Sequence, residues 1–136
     1  MAIYLTQYDY DAIIGHAKQE APLEACGLLG GEYRDSDAIV RRVYFLKNTD
    51  RSAEHFSMDP REQFGAVRDM REHGWKLLGN FHSHPATPAR PSEEDKRLAF
   101  DGTLRYLILS LKAAQPVLKS FRIKDGEATE EELQII

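Results

Sequence analysis

Runs of apolar and β-branched residues divide the chain into a series of strands. They predict strands at residues 2–5, 24–31, 37–46, 76–84, 104–111 and 117–124. The run Leu104–Leu111 is almost continuously apolar, which is typical of a strand covered on both faces. Asp125-Gly126 is a hairpin-turn dipeptide, so the apolar positions after it are expected to supply one more strand.

Helix signals mark two segments between these strands. The first segment follows Thr6, an N-cap residue with Asp9 three positions later, and ends before Pro22. The second opens on Asp59-Pro60, an N-cap and a first-turn proline, and ends at Gly74. Its inner face is expected to carry Phe64, Val67, Met70 and Arg71.

A third, shorter helix is expected over residues 93–100, ended by the Asp-Gly pair at 101–102. Strands and helices together predict an α/β fold in which a mixed, mostly antiparallel sheet is packed with about three helices. The strand at 76–84 is expected to be central in this sheet.

Length and charge narrow the class of protein. A chain of 136 residues can bury a real core, and we expect residues 1–136 to form one domain. The net charge is −4 and the basic residues are scattered among acids, which disfavours nucleic acid as the main partner. No apolar run approaches the roughly 20 residues of a membrane span, and the start lacks a signal-peptide pattern. A single cysteine excludes an internal disulfide, so a cytoplasmic setting is expected.

Candidate metal ligands are concentrated between Gly79 and Asp95. His82 and His84 alternate along a predicted strand, so both side chains point to one face, with Cα atoms roughly 6.5–7 Å apart. Imidazoles at that separation can bind one zinc ion at about 2.0–2.1 Å. Pro85 ends the strand, and the proline-rich loop after it is expected to be stiff enough to return Asp95 to the same place.

These residues also admit other interpretations. Ser92 and Asp95 fit a capping box at a helix start, a structural role that leaves the two histidines unexplained. That role is compatible with metal binding, because a first-turn aspartate can do both. Two histidines and a carboxylate leave one coordination position free, as in catalytic zinc sites. They also make up the facial triad of non-heme iron oxygenases.

Metal-assisted hydrolysis requires groups beyond the three ligands. A carboxylate must take a proton from water and deliver it to the leaving amine, and a donor must stabilise the oxyanion. Glu24, at the start of an apolar strand, is the candidate base, and a solvated residue at a strand start is the alternative interpretation. The hydroxyl of Ser92 is the candidate donor.

These positions resemble the signature of the JAMM (MPN-plus) metallopeptidases, and the likeness extends along most of the chain. The matching positions are Pro22, Glu24, Cys26, Gly27, Leu28, Leu29, Gly31, His82, Ser83, His84, Pro85, Ser92 and Asp95. The resemblance implies the MPN fold, which is cytidine-deaminase-like, with one zinc ion per chain. It implies that His82, His84 and Asp95 bind zinc. It further implies that Glu24 is the general acid/base and that Ser92 supports the tetrahedral intermediate.

The resemblance also implies a substrate class. Members hydrolyse the amide bond after the C-terminal Gly-Gly of ubiquitin or ubiquitin-like proteins. Short stand-alone prokaryotic members act on ubiquitin-like sulfur carriers, in some cases removing an amino acid such as cysteine. The chain has little room for the insertions of larger deubiquitinating members, which favours a sulfur carrier as partner. We expect the Gly-Gly tail to lie in a groove formed by Asn48–Met58. The oligomeric state, a homodimer included, is left open.

Two enzyme classes with related motifs are excluded or disfavoured. An amidohydrolase barrel needs roughly 250 residues, and a zinc deaminase needs a Pro-Cys-x-x-Cys element that the chain lacks. A non-catalytic MPN-type scaffold for a ubiquitin-like partner and a non-heme iron oxygenase stay as alternatives. Cys26 is expected to be a buried small hydrophobe rather than a nucleophile, and the acidic run Glu127–Glu132 a solvated face.

Overall fold

The computed structural model describes all residues from 1 to 136, in seven strands and three helices. The strands are β1 Ala2–Leu5, β2 Cys26–Arg34, β3 Asp37–Leu46, β4 Lys76–His84, β5 Arg105–Ser110, β6 Val117–Lys124 and β7 Glu127–Ile135. The helices are α1 Gln7–Glu20, α2 Pro60–Glu72 and α3 Glu93–Arg97. The predicted bounds of β1, β3, β4 and β6 are confirmed, whereas α3 ends three residues earlier than predicted.

The sheet closes into a barrel with the strand order β1-β3-β2-β4-β5-β6-β7. Four neighbouring pairs are antiparallel and three are parallel, so the predicted mixed, mostly antiparallel sheet is confirmed. The short β1 closes the barrel because it pairs with β3 on one side and with β7 on the other. Closure was not predicted, since both pairings join segments that are far apart in sequence.

Strand β4 lies between β2, its antiparallel neighbour, and β5, its parallel neighbour. Parallel strands require a crossover connection. Here that crossover is the proline-rich loop and α3, so the segment that returns Asp95 starts at the end of β4. The crossover is fixed at its base, where the Leu111 N–H donates to the His84 carbonyl over 3.1 Å.

The main core fills the barrel and extends beneath α1. Its fully buried members include Ile3, Leu5, Ile13, Leu29, Leu78, Phe81, Leu107 and Leu109. The Phe81 side chain lies over Gly27, its partner across the β2–β4 ladder. A Cβ at Gly27 would lie 2.2 Å from the Phe81 ring and 2.1 Å from the Tyr44 carbonyl oxygen. The absent side chain at 27 therefore fixes how β4 packs just before its histidines.

Helix α2 presents a different face to the sheet from the one predicted. Ala66 and Met70 are buried against β2 and β3, whereas Phe64 is 69% exposed and Arg71 is exposed. The prediction is right for Met70, which is buried, and Val67 is half-buried, but it is wrong for Phe64 and Arg71, because the small Ala66 takes a place on the inner face. The helix is therefore rotated by about one residue, roughly 100°, from the face that the large apolar residues favour.

The acidic C-terminal run is not only a solvated face. Glu131 points into the barrel, where its carboxylate pairs with the Arg105 Nε at 3.1 Å and accepts from the Ser120 hydroxyl at 3.0 Å. The two charged side chains are 5% and 4% exposed. Alternation along β7 explains the difference, because every second residue of a strand points inward. None of the three helices is long and apolar enough to cross a membrane.

Candidate metal centre

Three side chains converge at the end of β4. The Nε2 atoms of His82 and His84 are 3.1 Å apart. The Asp95 Oδ2 atom lies 3.1 Å from the first and 3.2 Å from the second. Both imidazoles are buried, and the Asp95 side chain is 15% exposed. The structure thus brings together the three residues that the sequence singled out as metal ligands.

The distances and donor types fit a small cation with nitrogen and oxygen ligands. A tetrahedral zinc site with bonds of about 2.0–2.1 Å has ligand–ligand edges of about 3.3–3.4 Å, close to the observed triangle. The Nδ1 atom of His84 lies 2.8 Å from the Pro88 carbonyl oxygen, to which it donates. In the neutral imidazole this bond leaves the lone pair on Nε2, where the three groups meet, as in metal sites whose ligands are oriented by outer hydrogen bonds.

Hydrogen bonds among His82, His84 and Asp95 keep the Asp95 carboxylate ionised although it is largely buried. Burial alone would raise the pKa of Asp95, but hydrogen bonds from His82 and His84 outweigh it and hold the pKa well below its usual range. Burial alone would lower the pKa of His84, but the hydrogen bonds to Asp95 and to the Pro88 carbonyl outweigh it and raise the pKa. A carboxylate that stays ionised in this environment is a ready partner for a cation.

Asp95 is oriented by the start of α3. The Ser92 Oγ atom accepts from the Asp95 N–H at 3.0 Å, and the Asp95 Oδ2 atom accepts from the Ser92 N–H at 2.9 Å. This reciprocal pair is a capping box. The helix-capping role of Asp95 is therefore compatible with the metal-binding interpretation. The Ser92 hydroxyl uses its oxygen in the cap and keeps its hydrogen for another partner.

Glu24 lies on the same face of the barrel as the two histidines. Cys26 pairs with His82 in the antiparallel β2–β4 ladder, so the same register two residues earlier places Glu24 opposite His84. Two hydrogen bonds extend the register beyond β2. The Ser83 N–H donates to the Ala25 carbonyl at 2.9 Å, and the Ala25 N–H donates to the Ser83 hydroxyl at 2.8 Å.

The Glu24 carboxyl group is in an unusual electrostatic environment. The residue is 4% exposed, and its Oε1 atom has no hydrogen-bond partner. Burial raises its pKa to about 8. The negative charge of Asp95 adds to this rise, whereas the positive charge of His84 opposes it. The solvated alternative for Glu24 is therefore wrong. A buried carboxyl that exchanges its proton near neutral pH is typical of a general acid/base.

A loop between β3 and α2 holds the backbone of Glu24 in place. The Glu24 N–H donates to the Ser52 carbonyl at 2.8 Å. The side-chain amide of Asn48 donates to the carbonyls of Glu24 and His55, each at 3.1 Å. Asn48 begins the predicted groove and Ser83 is a motif position, but no hydrogen bond was predicted for either side chain. Asn48 carries no local signal that distinguishes it from an exposed loop residue, but strand alternation alone places the Ser83 hydroxyl inside the barrel, where it needs a partner.

A cleft of about 470 Å³ opens beside the three converging groups. Apolar side chains of Phe56, Met58, Leu98, Phe100 and Tyr106 form much of its walls. The ring of Phe56 stacks on His82, with centroids 4.8 Å apart. Residues 55–58 come from the segment that the sequence predicted as a groove, Asn48–Met58, and they line this cleft. Cys26 is fully buried, as predicted, and burial raises its pKa to about 12.

Comparison with known proteins agrees with this geometry. Residues 6–124 match the model of the prokaryotic homologs of the JAB domain. A CysO-cysteine peptidase of Mycobacterium tuberculosis is 34% identical over 127 residues, which cover 93% of this chain and 86% of the relative.

Two solved structures share the fold. One is a protein from Desulfitobacterium hafniense, 58% identical, with a TM-score of 0.91. The match covers 100% of this chain and 93% of that protein's chain. The other is a JAB1/MPN domain protein from Archaeoglobus fulgidus, 26% identical, with a TM-score of 0.62. The match covers 98% of this chain and 99% of that protein's chain. The predicted MPN fold and JAMM resemblance are confirmed, and the chain is a hydrolase that belongs to the prokaryotic JAB-domain family.

Proposed function

We propose that the protein is a zinc-dependent peptidase that hydrolyses the amide bond after the C-terminal Gly-Gly of a ubiquitin-like sulfur carrier. The observation that carries this proposal is the position of Glu24, a buried carboxyl with a pKa of about 8 on the face where His82, His84 and Asp95 converge. These are the parts that metal-assisted amide hydrolysis requires.

His82, His84 and Asp95 would hold the metal. Bound there, zinc would supply Lewis-acid activation of the substrate carbonyl and of water near neutral pH. The iron-oxygenase alternative uses the same three ligand types, but it has no task for a buried carboxyl that titrates near neutral pH. The environment of Glu24 therefore favours hydrolysis over oxygen chemistry.

Glu24 and Ser92 carry out the proton transfer and the charge stabilisation. Water adds to the carbonyl carbon and the C–N bond breaks, while the Glu24 carboxyl carries a proton from the water to the departing nitrogen. The Ser92 hydroxyl keeps its hydrogen for donation to the carbonyl oxygen as negative charge develops there. Both roles also follow from the family resemblance.

The cleft supports an extended chain as substrate. Ser57 directs its N–H and C=O groups to Asn48 and Thr49. Main-chain groups alternate in direction along an extended segment, so the N–H and C=O of Phe56 and the N–H of Met58 point the other way, and they make no hydrogen bond. A Gly-Gly tail can pair with this segment as an added strand without side-chain clash.

The relative named CysO-cysteine peptidase supports a carrier–amino acid conjugate as substrate. We expect the amino acid after Gly-Gly to be cysteine and the reaction to take place in the cytoplasm.

A non-catalytic scaffold is the second candidate function. It would have no use for the buried, unpartnered Glu24 Oε1 atom, which destabilises the fold.

A synthetic peptide that ends in Gly-Gly-Cys tests the proposal. We expect the wild-type protein to bind one zinc ion and release cysteine. We expect Glu24→Gln to keep zinc and lose about 10²–10⁴-fold in kcat, and His84→Ala to lose both zinc and activity. Metal content is measured by inductively coupled plasma mass spectrometry. A fully active Glu24→Gln protein would contradict the proposed chemistry, and a wild-type protein that binds zinc without hydrolysis would favour the scaffold.

A further inference from the structure

Asn80 lies in the cleft beside the candidate metal centre. It precedes His82 by two residues on β4, so both side chains are on the same face of the barrel. Its neighbours across the sheet are Leu28 on β2 and Tyr106 on β5. Asn80, His82 and Tyr106 all line the cleft, together with Phe56 of the loop wall. A polar side chain thus occupies the floor of a largely apolar cleft.

The side-chain amide of Asn80 has no partner within the protein. Its Oδ1 atom is buried and accepts no hydrogen bond, and its Nδ2 atom donates none. The other amides nearby differ in this respect. Asn48 donates to three carbonyls, and Gln63, which lines the same cleft, donates to the Met58 carbonyl at 3.1 Å. Asn80 as a whole is half-buried, and its buried atom is the Oδ1 acceptor. Buried acceptors without partners are rare because they destabilise the fold.

Packing does not account for an asparagine at this position. Leucine has a similar size, has no group to satisfy, and would suit the Phe56 and Tyr106 walls better. The amide is therefore expected to have a partner that is not part of the protein. A side-chain amide both accepts and donates, which matches the N–H and C=O of a peptide group.

We infer that Asn80 is a specificity-determining residue whose amide hydrogen-bonds to the main chain of the substrate tail. This inference rests on the proposed function, which places the tail in the cleft. Phe56, whose main-chain N–H and C=O make no hydrogen bond, and Asn80 both line the cleft, so an extended chain there has more than one polar partner within reach. The amide recognises the backbone itself, which suits a tail of glycines.

Asn80→Leu tests the inference, because it removes both hydrogen-bonding atoms while keeping the number and branching of the side-chain heavy atoms. We expect kcat/KM on a Gly-Gly-Cys peptide to fall about tenfold or more, mainly through KM. We expect zinc content to be unchanged and the melting temperature to stay equal or rise. A merely structural role predicts the opposite, a lower melting temperature with unchanged kinetics.

Backbone-modified peptides identify the atoms involved. Peptides with one tail amide replaced by an ester lack one N–H each. We expect one ester position to reduce the wild-type kcat/KM about tenfold and to have no further effect on Asn80→Leu. Gln63→Leu is the matched control, because its amide already has a partner, and it should keep the full ester effect.

The outcomes separate this inference from the proposed function. Cleavage by the wild type, with kinetics and ester effects unchanged in Asn80→Leu, would overturn the role of Asn80 alone. Binding of a non-cleavable Gly-Gly peptide to the Glu24→Gln protein, measured by calorimetry, provides a second readout. A wild-type protein that neither cleaves nor binds these peptides would overturn both.

Discussion

The Glu24 carboxyl and the His84 imidazole act on each other's charge across the β2–β4 ladder. The positive charge of His84 opposes the rise in the Glu24 pKa, and the Glu24 carboxylate contributes to the rise in the His84 pKa. The ladder that holds them continues through Ala25 and Ser83. The register of the β2–β4 pair therefore fixes the position of a candidate metal ligand relative to the candidate general base.

The first prediction concerns the pH dependence of stability without metal. Glu24 titrates near 4.5 in the unfolded chain and near 8 in the fold. The folded state therefore binds more protons between these values, and the stabilisation present below pH 4.5 is lost as pH rises to 8. We expect Glu24→Gln to remove this loss. Thermal unfolding in excess chelator from pH 4.5 to 8.5 measures the difference. Parallel curves for wild type and Glu24→Gln would contradict a buried Glu24, and Glu127→Gln, at an exposed site, is the control.

A second prediction separates the two tasks of Ser92. Ser92→Ala removes an N-cap, which costs about 0.5–2 kcal/mol, and it also removes the candidate oxyanion donor. We expect kcat to fall about 10²-fold or more while zinc content is kept. Thr6→Ala removes the N-cap of α1 and is the matched control for the loss of a cap alone. Equal effects of the two substitutions on kcat would show that Ser92 acts only through the helix.

The third prediction concerns the hydroxyl between the two histidines. Ser83→Ala leaves the buried Ala25 N–H without its side-chain acceptor, which costs about 1–3 kcal/mol. Because this bond holds the segment of Glu24 against β4, we expect kcat to fall more than zinc affinity does. Urea unfolding, kinetics and zinc titration measure the three effects. A Ser83→Ala protein with unchanged kcat would show that the second bond, from the Ser83 N–H, positions Glu24 alone.

A fourth prediction concerns the ion pair inside the barrel. Glu131→Gln leaves the buried Arg105 charge uncompensated, and we expect a loss of about 3–5 kcal/mol. Glu32→Gln breaks the exposed pair with Arg41 and should cost about 0–1 kcal/mol. Denaturant unfolding compares the two variants. Similar losses would mean that the barrel pair is hydrated rather than buried.

Local patterns predicted the strands well because alternation and turn residues are local properties. The bounds of β3, β4 and β6 follow from them. The candidate site was also predictable in part, because strand period alone orients His82 and His84. Barrel closure through β1, the inner face of α2 and the burial of Glu131 depend on contacts between distant segments. No local pattern encodes such contacts.

The unpartnered amide of Asn80 could not be predicted from the sequence, for a related reason. Whether a side chain finds a hydrogen-bond partner depends on every element packed around it, and the sequence shows only its neighbours along the chain. The same holds for Asn48, which organises a whole loop from a position that looks like an ordinary turn residue.

The closed barrel has a consequence for self-association. A protein that holds extended chains against its own backbone risks holding copies of itself, and exposed edge strands are the usual route to aggregation. Here every strand of the sheet has a neighbour on both sides, although the short β1 pairs with only Ala38 and Ile39 of β3. The free backbone groups at residues 56–58 span only a few residues beside the cleft. This short segment can hold the end of a tail, but it offers too few backbone groups to pair with a long strand of a second copy.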